Sequence, residues 1–285
     1  MIRIVENTLP IISDSTIYDV DISYGHIVTI AATAANEAVV TVDGKKVFKS
    51  QPNGVIARGT MVRSFPNGEI LLGIYLCQVG VSSKVYVWQW LILDTEGRVK
   101  CELPFDDDIQ DITVTEKEIL VGYGEGAAYD IEKNQANVLT RFTHRGEVLS
   151  SFQDSYVKNL VLETYGAGDI VLLKDQAITF VVSALSQSNI GEYLISWDIL
   201  TQKAEAFDLR KQGISSPFQA WRYHDYILAL SSIDGSVFCY DLDCSVLTRL
   251  SELSPQSHGS KRMLNDGRLI VHGANGWSEL TLKFD

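Results

Sequence analysis

Five times along the chain an apolar segment ends on an aspartate: Val42-Asp43, Leu93-Asp94, Tyr129-Asp130, Trp197-Asp198 and Tyr240-Asp241. This recurrence constrains the fold more than any single motif. Self-similarity at a period of about 40 to 50 residues marks repeat architectures, in which no unit can bury its faces alone and neighbours must stack. The function therefore has to be sought on such a scaffold.

Each unit has the same order: a turn, a strand, a second turn, and the strand that ends on the aspartate. In the first, Tyr24-Gly25-His26 leads into residues 27–30, and residues 38–42 run to Asp43-Gly44. In the second, Pro66-Asn67-Gly68 is a strong turn signal, residues 70–74 form the expected inner strand, and residues 85–93 run to Asp94. The pattern returns in residues 119–122 and 127–129, 178–182 and 193–197, 227–230 and 237–240, and 269–272 and 277–282. After the aspartates, Val138-Leu139-Thr140-Arg141-Phe142 matches Val246-Leu247-Thr248-Arg249-Leu250, and both are expected to be outermost strands. The sixth unit lacks room for such a strand, whereas Ile2-Arg3-Ile4-Val5 is an apolar strand without a unit. The N-terminal strand is therefore expected to complete the last unit and close the ring, removing the exposed edge of an open array.

With these units laid on one another, the chain resembles the WD-repeat type of β-propeller. Trp197-Asp198 is the single literal Trp-Asp pair, with Tyr-Asp, Leu-Asp or Val-Asp at the other positions. The family's Gly-His pair ahead of each blade is missing. Gly25-His26 matches its letters but directly precedes a strand, so the family's buried His/Asp network is not implied. The resemblance implies an all-β fold, one β-propeller over residues 1–285. Six blades are expected, with seven as the alternative, because the long Asp130 to Asp198 interval holds apolar runs within residues 146–175.

In the 85–93 segment, Tyr86, Trp88, Trp90 and Ile92 alternate with Val85, Val87, Leu91 and Leu93, so both faces are apolar. A strand of this kind belongs between two sheets. Trp88 and Trp90 read as interior residues; the alternative is a carbohydrate-stacking pair.

The 285 residues, 46% hydrophobic, can bury a large core, and no linker-like stretch divides them. A formal charge of −12 argues against binding a nucleic-acid backbone and favours a basic protein or a cation, if it serves more than solubility. The start of the chain lacks the apolar core of a secretory signal, and no run of about 18 uncharged apolar residues suggests a membrane helix. Cys77, Cys101, Cys239 and Cys244 follow no disulfide-framework or CxxC spacing, so a cytoplasmic location is expected.

The densest acidic cluster is Asp106, Asp107, Asp108 and Asp111. It lacks the glycine and the spaced glutamate of a calcium loop, and reads as a solvated, partner-facing loop. His26, His144, His224, His258 and His272 are scattered singly, without zinc-site spacing. No GxSxG elbow is present, and Gly122-x-Gly124-x-Gly126 lacks the spacing and helix of a phosphate cradle. The long connections 76–84 and 183–191 are further places where binding residues concentrate. No catalytic residue, metal or cofactor is assigned.

These features point to a non-catalytic acidic module that binds a basic protein. Its most concrete form is an immunity protein that neutralises a basic nuclease toxin. One alternative is a propeller hydrolase or lyase acting on a sugar or lactone, with Asp106, Asp108, Asp111 and His26 as suspects. Another is a carbohydrate-binding propeller using Trp90, Trp221 or Trp277.

Overall fold

The computed structural model describes residues 2–8, 16–35, 37–50, 55–56, 60–79, 84–105, 108–124, 138–152, 164–173, 176–184, 190–208, 217–223, 226–231, 236–241, 247–252, 261–263, 268–273 and 276–284. Apart from one 3-10 turn at Ser23–Gly25, the regular structure of these residues is β-strand.

The first strand, β1 (Ile2–Thr8), stands apart from the unit that follows it. Blade 1 is β2 (Thr16–Asp21), β3 (Val28–Ala32), β4 (Ala38–Val42) and β5 (Lys45–Lys49), paired in that order. Blade 2 has an interrupted first strand, β6 (Val55–Ile56) and β7 (Met61–Ser64), both paired with β8 (Ile70–Val79). Then come β9 (Lys84–Leu93) and β10 (Val99–Leu103). Blade 3 is β11 (Ile109–Val114), β12 (Ile119–Tyr123), β13 (Leu139–Phe142) and β14 (Val148–Ser151). Blade 4 is β15 (Thr164–Leu173), β16 (Gln176–Ala184), β17 (Ile190–Asp198) and β18 (Lys203–Asp208). Blade 5 is β19 (Pro217–Tyr223), β20 (Tyr226–Ser231), β21 (Ser236–Asp241) and β22 (Leu247–Glu252). The last sheet joins β23 (Lys261–Met263), β24 (Leu269–Gly273) and β25 (Gly276–Phe284) to β1.

The described strands thus form six antiparallel sheets of a β-propeller. The N-terminal strand closes the ring as expected: β1 pairs with β25 from Ile2↔Phe284 to Thr8↔Ser278. The same closure brings blade 6 against blade 1, where Val20, Ile270 and Trp277 share a buried cluster and the Arg268 guanidinium donates to the Ile22 carbonyl at 3.2 Å.

Three sequence expectations change. Residues 146–175 do not make a seventh blade, because Val148–Ser151 is the outer strand of blade 3 and Thr164–Leu173 opens blade 4. The segment 138–142 is not an outermost strand: Gly122↔Leu139 and Ile119↔Phe142 pairing makes it the third strand of blade 3, whereas its look-alike β22 is outermost. Finally, the strands after each first turn, such as 70–74, are second in their sheets. The first strands, β2, β7 and β11, carry Asp19, Arg63 and Asp111, and those charges break the apolar pattern that marks the other strands.

The core consists of contacts between blades rather than one central mass. In β9 the two apolar faces separate as its alternation predicts. Trp90 and Ile92 pack with β11 and β12 residues, and Leu91 and Leu93 with Val28, Ile30 and Val40 of blade 1. Likewise Ile119, Val121 and Tyr123 of β12 face blade 2, while Leu120 faces the blade 4 residues Tyr193, Ile195 and Trp197. Burying each such side chain stabilises the fold by about 1.5–3 kcal/mol, so no blade can give up a neighbour cheaply. Gly73 is required by this packing, since a Cβ there would lie 2.2 Å from Trp90 Cζ3.

Deleting residues 1–8 is expected to abolish cooperative unfolding or lower Tm by more than about 10 °C, because it strips a whole strand and reopens an edge. Thermal unfolding followed by circular dichroism checks this, and an unchanged Tm contradicts the closure.

Candidate functional site

Asp94 and Asp198 are turn residues with a common task, whereas Asp43 reaches across to the start of the second strand. Asp94 Oδ1 accepts from the backbone N–H groups of Glu96 and Arg98, both at 2.9 Å, and its own N–H and C=O bond to Arg98 and Gly97. Asp198 Oδ1 accepts from Leu200 and Thr201 N–H, and Asp43 Oδ1 from Ile27 N–H. All three lie where the third strand of a blade turns into the fourth, which is also where Asp241 ends β21. Bonds to the ionised form hold the carboxyls of Asp43, Asp94 and Asp198 below their ordinary value of 3.8.

In blade 3 this position belongs to Thr143, which the sequence pattern missed. Its Oγ1 accepts from Arg145 and Glu147 N–H, both at 3.2 Å, and its backbone makes the same two turn bonds as Asp94. Asp130, chosen from the sequence, lies outside the described residues. The glycine four places into each turn, Gly97 or Gly146, was the available signal. Both have φ near +80°, and a Cβ at either would strike the preceding blade, at the Val47 carbonyl or at Pro104.

Asp111 also departs from expectation. It is buried, with only 3% of its surface exposed, so it is not a partner-facing residue. Arg63 of β7 donates Nη1–H to Asp19 Oδ2 at 3.0 Å and Nη2–H to Asp111 Oδ1 at 2.9 Å, and its Nε–H to the Ile112 carbonyl. Asp19 Oδ2 accepts from Val62 N–H, and Asp111 Oδ2 from Ile170 N–H. One chain of charged hydrogen bonds thus crosses the first strands of blades 1, 2, 3 and 4. Burial alone would lower the Arg63 pKa, but the charges of Asp19, Asp111 and Asp21 outweigh it and hold the guanidinium above its ordinary value. Asp21 shows the reverse balance: burial pushes its carboxyl up against the pull of Arg63 and of bonds from Ser23 and Ser64.

Asp108 is half-buried at the start of β11, with φ +63°. Its carboxylate accepts from Gln110 Nε2 at 2.9 Å, and its carbonyl from Gly124 N–H at 2.8 Å. Asp106 and Asp107 lie outside the described residues. The connection carrying them joins the outer strand β10 to the next first strand, β11. By up-and-down topology Asp108, at the start of β11, lies at the same end of the ring as the β8–β9 and β16–β17 strand ends, and the segments 76–84 and 183–191, expected as long connections, are largely strand, paired out to Val79↔Lys84 and Ala184↔Ile190. His26 belongs to the other face. Its Nδ1 pairs with Asp43 Oδ2 at 2.7 Å, so the suspected Asp108, Asp111 and His26 constellation is not assembled.

Trp90 and Trp277 are buried, at 1% and 5% exposure, so neither presents a sugar-stacking surface. Nothing is described for the Trp221 side chain. Among the described residues, no three His, Cys, Asp or Glu side chains group to hold a metal ion, and no helix is long and apolar enough to cross a membrane.

No protein-family model matches the chain, and no curated protein does. Solved structures are similar in fold. A catalytically inactive virginiamycin B lyase from Staphylococcus aureus with quinupristin superposes with TM-score 0.55 at 12% identity, covering 100% of both chains. The selenomethionine-substituted lyase gives TM-score 0.52 at 14% identity, covering 99% of this chain and 88% of that one. A chain of the mitotic checkpoint complex gives 0.50 at 12% identity, covering 99% and 91%. At such identities the likeness establishes the propeller fold.

Replacing Arg63 with Met is expected to cost about 3–5 kcal/mol in denaturant unfolding, because Asp19 and Asp111 remain buried without a countercharge. A triple variant, Arg63→Met with Asp19→Asn and Asp111→Asn, should recover part of the loss. The pH dependence has two opposed parts. The turn aspartates contribute stability above about pH 3.8 that is lost as pH falls through their lowered values. Asp21 contributes fully below 3.8 and loses its contribution as pH rises through its raised value. Acid unfolding of an Asp43→Ala, Asp94→Ala, Asp198→Ala variant should therefore lose much of its dependence on pH below about 4.

Proposed function

We propose that this propeller is a non-catalytic protein-binding module whose acidic face, at the end where Asp108 lies, receives a basic protein. The observation carrying this reading is the net charge of −12 together with an acidic sequence run that ends at Asp108, a residue not taken into the core. Opposite charge speeds encounter and selects partners, and such binding weakens as salt shortens the electrostatic range. A concrete form is an immunity protein that covers a basic nuclease toxin in the cytoplasm; it rests on charge and fold alone.

A propeller lyase or hydrolase is the second reading, favoured by the fold-level likeness to virginiamycin B lyase. Against it, two of the residues first suspected of catalysis are committed elsewhere, Asp111 to the buried ion pair with Arg63 and His26 to Asp43 on the other face. A stoichiometric divalent metal in the purified protein would support the catalytic reading.

The test is capture of basic proteins from the source cell at low salt, followed by binding kinetics with the recovered partner. The association rate should fall at least about 10-fold between low and physiological salt, and again in an Asp106→Lys, Asp107→Lys, Asp108→Lys variant that unfolds like the parent. Binding indifferent to both changes refutes the acidic-face reading. Protection of cells by co-expression with a captured nuclease would establish the immunity form, and its failure with every captured nuclease would exclude it.

A further inference from the structure

Four buried groups meet where the first strands of blades 1, 2 and 3 come together: Asp19 and Asp21 of β2, Arg63 of β7 and Asp111 of β11, none more than 3% exposed. Arg63 gives its hydrogen bonds to Asp19, Asp111 and the carbonyls of Val62 and Ile112, and none to Asp21. Three carboxylates therefore share one guanidinium, and the two bonded to it already exceed its charge. Among the described residues, the other charged groups around Asp21 are taken up elsewhere. Arg268 of the last blade bonds the Ile22 carbonyl and pairs with Glu279, while Tyr24 and His26, in the turn after β2, are exposed and His26 pairs with Asp43. The neighbouring strand β3, which meets Asp21 at Val28, carries no titratable residue. Ionising all three carboxyls would leave Asp21 as an uncompensated charge cut off from water, which is costly.

The contacts of Asp21 accommodate a neutral carboxyl. Ser23 Oγ lies 2.5 Å from Oδ1, and the same hydroxyl that donates to a carboxylate accepts from a protonated Oδ1. Oδ2 keeps its bond from Ser64 N–H at 2.5 Å in either form. Burial holds this carboxyl above its ordinary value of 3.8, outweighing Arg63 and the bonds from Ser23 and Ser64.

The two bonds of Asp21 span a joint. Ser64 ends β7 in blade 2 and Ser23 opens the 3-10 turn of blade 1, so Asp21 ties the turn end of one blade to the next. Asp19 makes a parallel tie from the same strand to Val62 N–H, with Arg63 bonded to it. Of the two ties, the one made by Asp21 lacks a countercharge in contact. Ser23 and Ser64 also line a cavity of about 300 Å³ between blades 1 and 2. Space for water thus lies directly beyond the two residues that hold the carboxyl.

We infer that Asp21 is a proton-operated latch on the seam between blades 1 and 2: neutral, it ties Ser23 to Ser64, and ionised, it moves towards the cavity and releases Ser64 N–H and the 3-10 turn, while the bonds of Arg63 hold the rest of the ring. By linkage, the closed latch binds its proton more tightly than the open one. Closure is therefore complete below the ordinary 3.8 and is lost as pH rises through the raised value. The carboxyls of Asp43, Asp94 and Asp198 act in the opposite sense and below 3.8, so the two effects occupy separate pH windows. The latch does not depend on the proposed protein partner.

Amide hydrogen exchange of the full chain tests this, read at Ser64 from about pH 4 to about pH 9 and corrected for the intrinsic pH dependence of exchange. The protection factor at Ser64 should fall at least about 10-fold as pH rises, the effect of one unit of difference in pKa between the closed and open latch. Protection of the β17 amides in blade 4 should stay level. Asp21→Asn keeps an acceptor for Ser64 N–H and a donor for Ser23 Oγ but cannot ionise, so it should hold Ser64 protected throughout. Should that variant not fold, the profile of the parent protein decides alone. The proposal is overturned by Ser64 protection that is constant or rises with pH, by a fall that β17 shares equally, or by an Asp21→Asn variant that loses protection as the parent does.

Discussion

The bonds from Arg63 to Asp19 and Asp111 are the interaction on which the rest of the ring depends. Inter-blade apolar contacts supply most of the burial, but they are non-directional and would tolerate sliding of one sheet over another. The guanidinium is planar and its donors point in fixed directions. By engaging carboxylates on both sides and a carbonyl of blade 3, it sets the height of three first strands at once. Asp111 extends the setting to blade 4 through Ile170 N–H. Such a buried network adds less to stability than its contacts suggest, because desolvation opposes it. Its value is in the alignment it imposes.

The fold was readable where the chemistry of a turn forces a residue choice. Asp94 and Asp198 mark equivalent corners because a short side-chain acceptor reaches the N–H groups exposed there, and Asp43 holds the same corner of blade 1 while bonding Ile27 N–H. Thr143 performs the same task with a hydroxyl, so a pattern written in aspartates passes over it and settles on Asp130. The alternation in β9 was legible because two different neighbours cover its two faces. The first strands were harder to see, since their polar residues are satisfied by residues 43 to 59 positions away along the chain. No local pattern carries that information.

The candidate site was legible to a smaller degree for the same reason. Asp111 looked like part of an exposed acidic run because Asp106 to Asp108 precede it closely. The register shift between Ile109 and Asp111 separates it from that run, and β11 carries it inside to a countercharge.

The pairing of Ile2 with Phe284 joins residues separated by nearly the whole chain. Closing a loop of that length has an entropic cost that grows only as the logarithm of its length, roughly 0.6 kcal/mol per doubling, so the seam is thermodynamically affordable. Its penalty is kinetic. The last sheet has to wait until the two most distant segments of the chain meet, while each of the other blades is built from local hairpins. Until then, blade 6 keeps an open strand edge in the position where β1 will lie. The interval before closure is therefore when this protein is most exposed to pairing with another copy of itself.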